Sequence, residues 1–89
     1  MATIEKLYQS IMNGTQDKNI KFRDLQKLLA ALGFEQKENN GDHFIYNYPG
    51  IKELINVQPD KQDHSKAKSY QIRQVRNFLK QHNITCGGI

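Results

Sequence analysis

The sequence predicts an α+β fold, with its elements in the order α, α, β, β, β, α and its strands in an antiparallel meander. Three observations predict it. Apolar residues recur at helical spacing in two stretches before Gly33 and in one after Lys68. Between them, "HFIYNY" alternates two faces with the period of a strand. Asn40-Gly41 and Pro49-Gly50 punctuate the middle of the chain as tight turns do. At 89 residues the chain makes one small domain, and chemistry is expected on its surface rather than in a deep pocket.

The first helix is read from "TIEKLYQSIMNG", where Ile4, Leu7, Tyr8, Ile11 and Met12 form a stripe. Thr3 is its expected cap and Gly14 its stop. "TQDKN" is a polar connector. In the second helix Leu25, Leu28, Leu29 and Leu32 follow i, i+3, i+4, i+7, and Gly33 fits the residue just past the end.

"FEQKE" is a short first strand with Phe34 as its core candidate. In the second strand His43, Ile45 and Asn47 share one face; Phe44, Tyr46 and Tyr48 share the other. The aromatic set suits the helix side, which leaves His43 on the open side. "ELINVQP" is the third strand, closed by Pro59, and "DKQDHSKAK" is a polar basic loop. The last helix begins near Ser69 or Tyr70, buries Ile72, Val75, Phe78 and Leu79, and ends near His82-Asn83. The Gly-rich tail is expected to fray.

Charge is distributed unevenly. The chain carries net +4, and the segment from Asp60 to His82 holds all of that excess: six bases (Lys61, Lys66, Lys68, Arg73, Arg76, Lys80) against two acids. Such a segment is an electrostatic footprint for RNA or DNA. The same pattern also describes a solvated helix face.

Several function classes have no support. There is no nucleotide-binding loop, no Cys cluster and no HExxH, so no metal or cofactor is expected. Cys86 is the single cysteine and cannot form an internal disulfide, which fits a reducing cytoplasm. No stretch approaches membrane-spanning length, so no membrane partner is expected.

His43 is the candidate for chemistry. An imidazole titrates near neutrality, so it can take a proton from a ribose 2′-OH or give one to a leaving 5′-oxygen. The plainer reading is an exposed histidine at a strand start, and pattern alone favours it. Asp42 is a possible modulator of the imidazole, although consecutive strand side chains point apart. His82 is most simply a helix-dipole partner. Tyr46 suits the core. Tyr48 and Tyr70 fit base stacking, but packing is the simpler use for both.

Three blocks, "IKFRDLQKLLAALGF", "NNGDHFIYNYPGIKELINVQP" and "SKAKSYQIRQVRNFLK", resemble in order and spacing the HicA family, the mRNA interferase toxins of bacterial HicA–HicB type II toxin–antitoxin pairs. The resemblance centres on a Gly-Ser/Thr-His motif with an aromatic three residues after the histidine, here Gly41, Asp42, His43 and Tyr46. It implies a double-stranded-RNA-binding-like α-β-β-β-α domain over residues 18–84. Residues 1–17 are then an extra N-terminal helix and connector, expected to pack on the domain, and 85–89 a flexible tail. It also implies His43 as the catalytic residue of a metal-independent endoribonuclease, with mRNA as substrate and a HicB-like antitoxin as partner. Lys66, Lys68, Arg73 and Arg76 are the expected phosphate contacts. The chain departs from the family pattern twice. Asp42 stands where Ser or Thr is usual, and Phe44 where many members have a second histidine. The alternative on the same fold is a non-catalytic RNA-binding or protein-interaction module.

Overall fold

The computed structural model describes residues 3–40 and 43–86, and only the backbone of residues 38–40. Helix α1 spans Ile4–Asn13. The Thr3 hydroxyl accepts a hydrogen bond from the Lys6 N–H at 3.2 Å, which satisfies one of the free donors of the first turn. Leu7 and Ile11 are buried, with Ile4, Tyr8 and Met12 packed beside them.

Helix α2 spans Phe22–Ala31 and buries Phe22, Leu25, Leu28 and Leu29. Gly33 follows at φ +104°, where a side chain would be strained. Its N–H reaches the Ala30 carbonyl at 3.1 Å, and the Phe34 N–H reaches the Leu29 carbonyl at 3.0 Å. This paired arrangement closes the last turn and brings buried Phe34 back over buried Leu29. Helix α3, Ser69–Gln81, ends in the same way with Asn83 in the glycine's role at φ +54°. The Ile84 N–H bonds the Leu79 carbonyl at 2.9 Å, and both side chains are buried.

Strands β1 (Glu35–Asn40), β2 (His43–Asn47) and β3 (Leu54–Val57) form one antiparallel sheet in that order. The architecture is α+β, and α2, the sheet and α3 supply the α-β-β-β-α layout, with α1 added in front. The β1–β2 register slips between Gln36 and Glu38, which leaves Lys37 as the extra residue of a bulge. Asn40 pairs with His43 across the hairpin. The turn there, with Gly41 and Asp42, lies outside the described residues, as do residues 87–89 of the expected tail. The second turn is closed by the Ile51 N–H on the Tyr48 carbonyl at 3.0 Å, with Gly50 at φ +88°. Pro49 and Gly50 thus hold the central positions of a type II turn.

One face of the sheet packs on the helices. Tyr46, Ile55 and Val57 join Leu25, Leu28, Leu29, Ile72, Val75, Phe78 and Leu79 in a continuous core. Removing these side chains from water drives the layer together. Helix α1 packs on α2 and α3. Polar ties reinforce it: the Tyr8 hydroxyl donates to the Ile84 carbonyl at 2.7 Å, and Arg76 donates to the Ile11 carbonyl at 2.9 Å.

Candidate functional site

His43 is the first residue of β2 and is exposed. Alternation sends its neighbour the other way. The Phe44 ring lies 5.2 Å from that of Phe22, on the helix side. A histidine at position 44 would therefore point into the aromatic packing, so Phe44 in this chain serves the core. His43, Ile45 and Asn47 lie on the open face, and the register adds Leu54 and Asn56 from β3.

The imidazole is held by a chain of polar groups. His43 Nδ1 is 2.9 Å from Gln58 Nε2. Gln58 Oε1 accepts a hydrogen bond from Lys68 Nζ at 2.8 Å. The Gln58 backbone N–H donates to the side-chain Oε1 of Gln71, which is only 3% exposed. Buried amides are held by such partners, so Gln71 fixes the end of β3 against α3. Lys68 immediately precedes α3, and its ammonium sits 5.8 Å over the Tyr70 ring. Tyr70 is 44% exposed, so packing does not account for it. Tyr48 does pack, edge-on to Phe34 at 5.1 Å.

The two acids of the basic segment build its loop. Asp60 Oδ1 accepts from the N–H groups of Gln62 and Asp63, and Asp63 Oδ1 from the N–H and hydroxyl of Ser65. Those Ser65 bonds, helped by the Lys66 and His64 charges, hold the Asp63 carboxyl below its ordinary range. Backbone bonds then pin the loop to the strand-like entry of α2: Phe22 N–H to Ser65 carbonyl and Ala67 N–H to Ile20 carbonyl, both 2.9 Å.

The structure separates the four expected phosphate contacts. Lys68 adjoins His43 through Gln58. Lys66 is part-exposed in the pinned loop, and Arg73 is exposed on α3, one turn beyond Tyr70. Arg76 lies elsewhere. Its guanidinium meets the Asp17 carboxylate at 3.0 and 3.2 Å, with both side chains about 85% covered. Asp42 lies outside the described residues. His82 follows α3 with its ring 4.6 Å from Phe78 and Nε2 3.5 Å from Glu53. Among the described residues, no three His, Cys, Asp or Glu side chains gather as a metal site would require. Nor is any helix among them long and apolar enough to cross a membrane.

These features define a small α+β domain with a histidine on an open sheet, tied to a cation at a helix start. The family described as the HicA toxin of bacterial toxin–antitoxin pairs matches residues 22–84, most of the chain. The chain belongs to the HicA toxin family. Membership makes it the toxin half of a toxin–antitoxin pair, whose partner is a HicB-type antitoxin. No curated protein and no solved structure matches the chain.

Proposed function

We propose that this toxin is a metal-independent endoribonuclease, an mRNA interferase, with His43 transferring the proton at the cleaved phosphodiester. In the proposed step the ribose 2′-oxygen loses its proton and bonds to the adjacent phosphorus. The bond from phosphorus to the 5′-oxygen breaks, and that oxygen takes up a proton. A single imidazole serves one of these transfers as general base or acid, and water serves the other. Lys66, Lys68 and Arg73 hold phosphates, and Lys68 is the one placed to offset charge on the reacting group. Arg76 would have to leave Asp17 to join them. The uncapped start of α3 adds its partial positive charge beside Lys68. Tyr70 offers a face on which a base can stack. A HicB-like antitoxin neutralises the toxin by covering this end of the sheet, in the cytoplasm where mRNA is exposed.

The observation that carries this reading is the exposed His43 ring, held through Gln58 by a lysine at a helix start. The test is induced expression of wild type and His43→Ala, with RNA integrity and growth as readouts. Loss of a general acid or base slows cleavage by roughly 10²–10⁴-fold. The variant should fold, bind the antitoxin and leave growth and RNA intact. A His43→Ala protein as toxic as wild type would refute the assignment. RNA bound but left uncut by the wild type would favour the non-catalytic module.

A further inference from the structure

Gln58 carries a constraint that reaches the His43 ring. The Lys68 ammonium can only donate hydrogen bonds, so the amide oxygen of Gln58 must face it. The amide NH₂ then faces His43 Nδ1 at 2.9 Å, and an NH₂ can only donate. Nδ1 must therefore accept, and the single proton of the neutral ring sits on Nε2. In this resting arrangement Nε2 presents an N–H where a general base needs a lone pair.

Both catalytic forms of the ring need the reverse. A base with its lone pair at Nε2 carries its proton on Nδ1. An imidazolium acid carries protons on both nitrogens. Each requires an acceptor opposite Nδ1, and only the Gln58 oxygen can supply one from that side chain. Turning the amide over would set its NH₂ against the Lys68 ammonium, donor against donor. The barrier to the active form is therefore the position of Lys68. Its partner in the free protein is a neutral amide, which a phosphate oxygen outcompetes because charge-assisted hydrogen bonds are stronger.

We infer that Gln58 is a positioning residue that switches the tautomer of His43 when a substrate phosphate draws Lys68 away. Capture of the phosphate releases the amide, which rotates to put Oε1 on Nδ1–H. The ring proton leaves Nε2 for solvent and another arrives at Nδ1, with no change in net charge. The role deepens the ribonuclease reading and rests on it for its purpose. A group that sets the tautomer of a catalytic histidine without touching substrate is an established way to control rate.

The test reads the tautomer directly, from the imidazole ¹⁵N shifts of His43 at about pH 8.5, where an ordinary ring is neutral. The probe is a short oligonucleotide made wholly of 2′-deoxy units, which has no 2′-OH to react. Free wild type should show the proton on Nε2, and the saturated complex should show it on Nδ1. Gln58→Glu has acceptors at both ends, so it should hold the Nδ1–H form with or without the probe. Gln58→Leu should bind the probe as wild type does, yet cut RNA at least about ten-fold more slowly. An Nδ1–H ring in the free wild type, or no change on saturation, overturns the switch, as does failure to bind the probe at low salt. If His43→Ala cuts RNA like wild type, the catalytic assignment of His43 fails. The ¹⁵N result stands or falls separately.

Discussion

Lys68 and Arg76 belong to one basic segment, eight residues apart, and the fold gives them opposite surroundings. Arg76 is enclosed. It reaches two oxygens of Asp17 and the Ile11 carbonyl, and a Cβ on Gly14 would sit 3.2 Å from its Nη1. Among the described residues Lys68 has one acceptor, the neutral amide of Gln58, and an exposed ring below it. The planar guanidinium suits a fixed, forked pairing, whereas the ammonium is a point charge on a flexible stem. Charge alone does not separate these roles. A cation whose partners are a carboxylate and a carbonyl holds elements together. A cation resting on an amide remains available for a stronger anion.

Exchanging the two residues' fates is the sharpest way to break that contrast. Arg76→Ala removes the tie among α1, the connector and α3, and leaves Asp17 part-buried without a cation. The expected loss is about 2 kcal/mol, below that for a wholly buried pair because water still reaches both groups. In a domain this small that lowers the melting temperature by roughly 10 °C. RNA affinity measured well below the new midpoint should stay near wild type, whereas Lys68→Ala should weaken binding and leave the melting temperature almost unmoved. If Arg76→Ala instead cost affinity at unchanged stability, the division of labour would be wrong.

The two regions were also unequally legible in the sequence. The helices announced themselves through their leucine and isoleucine stripes, and their ends through Gly14, Gly33 and Asn83. The open-face position of His43 followed from strand alternation alone. Gln58 and Gln71 gave no such signal, because a neutral amide has neither charge nor periodicity to mark it. One indication was present. The pairing of Tyr46 with Ile55, continued in antiparallel register, sets Gln58 opposite His43. The Arg76–Asp17 pair joins residues 59 apart, and nothing local distinguishes Arg76 from Arg73. The bulge at Lys37 was equally silent. Tyr70 differs from the simpler expectation of packing: the turn of α3 leaves it 44% exposed, and nothing local in the sequence marks that.

A smaller effect tests the attachment of α1 at the other tie, from Tyr8 to Ile84. Burial, and then the charge of Cys86, pushes the Tyr8 phenol above its ordinary value of 10.0. The fold thus favours the neutral hydroxyl that donates to the Ile84 carbonyl. This contribution is complete below about pH 10 and is lost as pH rises through the folded value. Tyr8→Phe removes both the bond and the titration. It should cost about 1 kcal/mol at neutral pH, and its stability should fall less than that of wild type above pH 10. Parallel stability curves for the two proteins across that range would show that Tyr8 does not couple to folding.

The smallest effect on global stability belongs to the site side. Asp63 is fully exposed, and its carboxyl is held below its ordinary value of 3.8, first by the Ser65 hydroxyl and then by the Ser65 N–H. Its contribution to loop order is therefore present above the ordinary carboxylate range and lost as pH falls through the lowered value. The Ser65 amide resonance should titrate at that lowered value in wild type and stay flat in Asp63→Ala. The melting temperature at neutral pH should barely move, since the Asp63 carboxylate is exposed and its bonds to Ser65 lie within its own turn. RNA binding should weaken modestly, because Lys66 loses the fixed backbone that presents it. If the Ser65 resonance did not titrate, the loop would owe its order to Asp60 and to its backbone bonds, those with Ile20 and Phe22 included. Lys66 would then be positioned by the backbone at the entry of α2 and by Asp60, and not by Asp63.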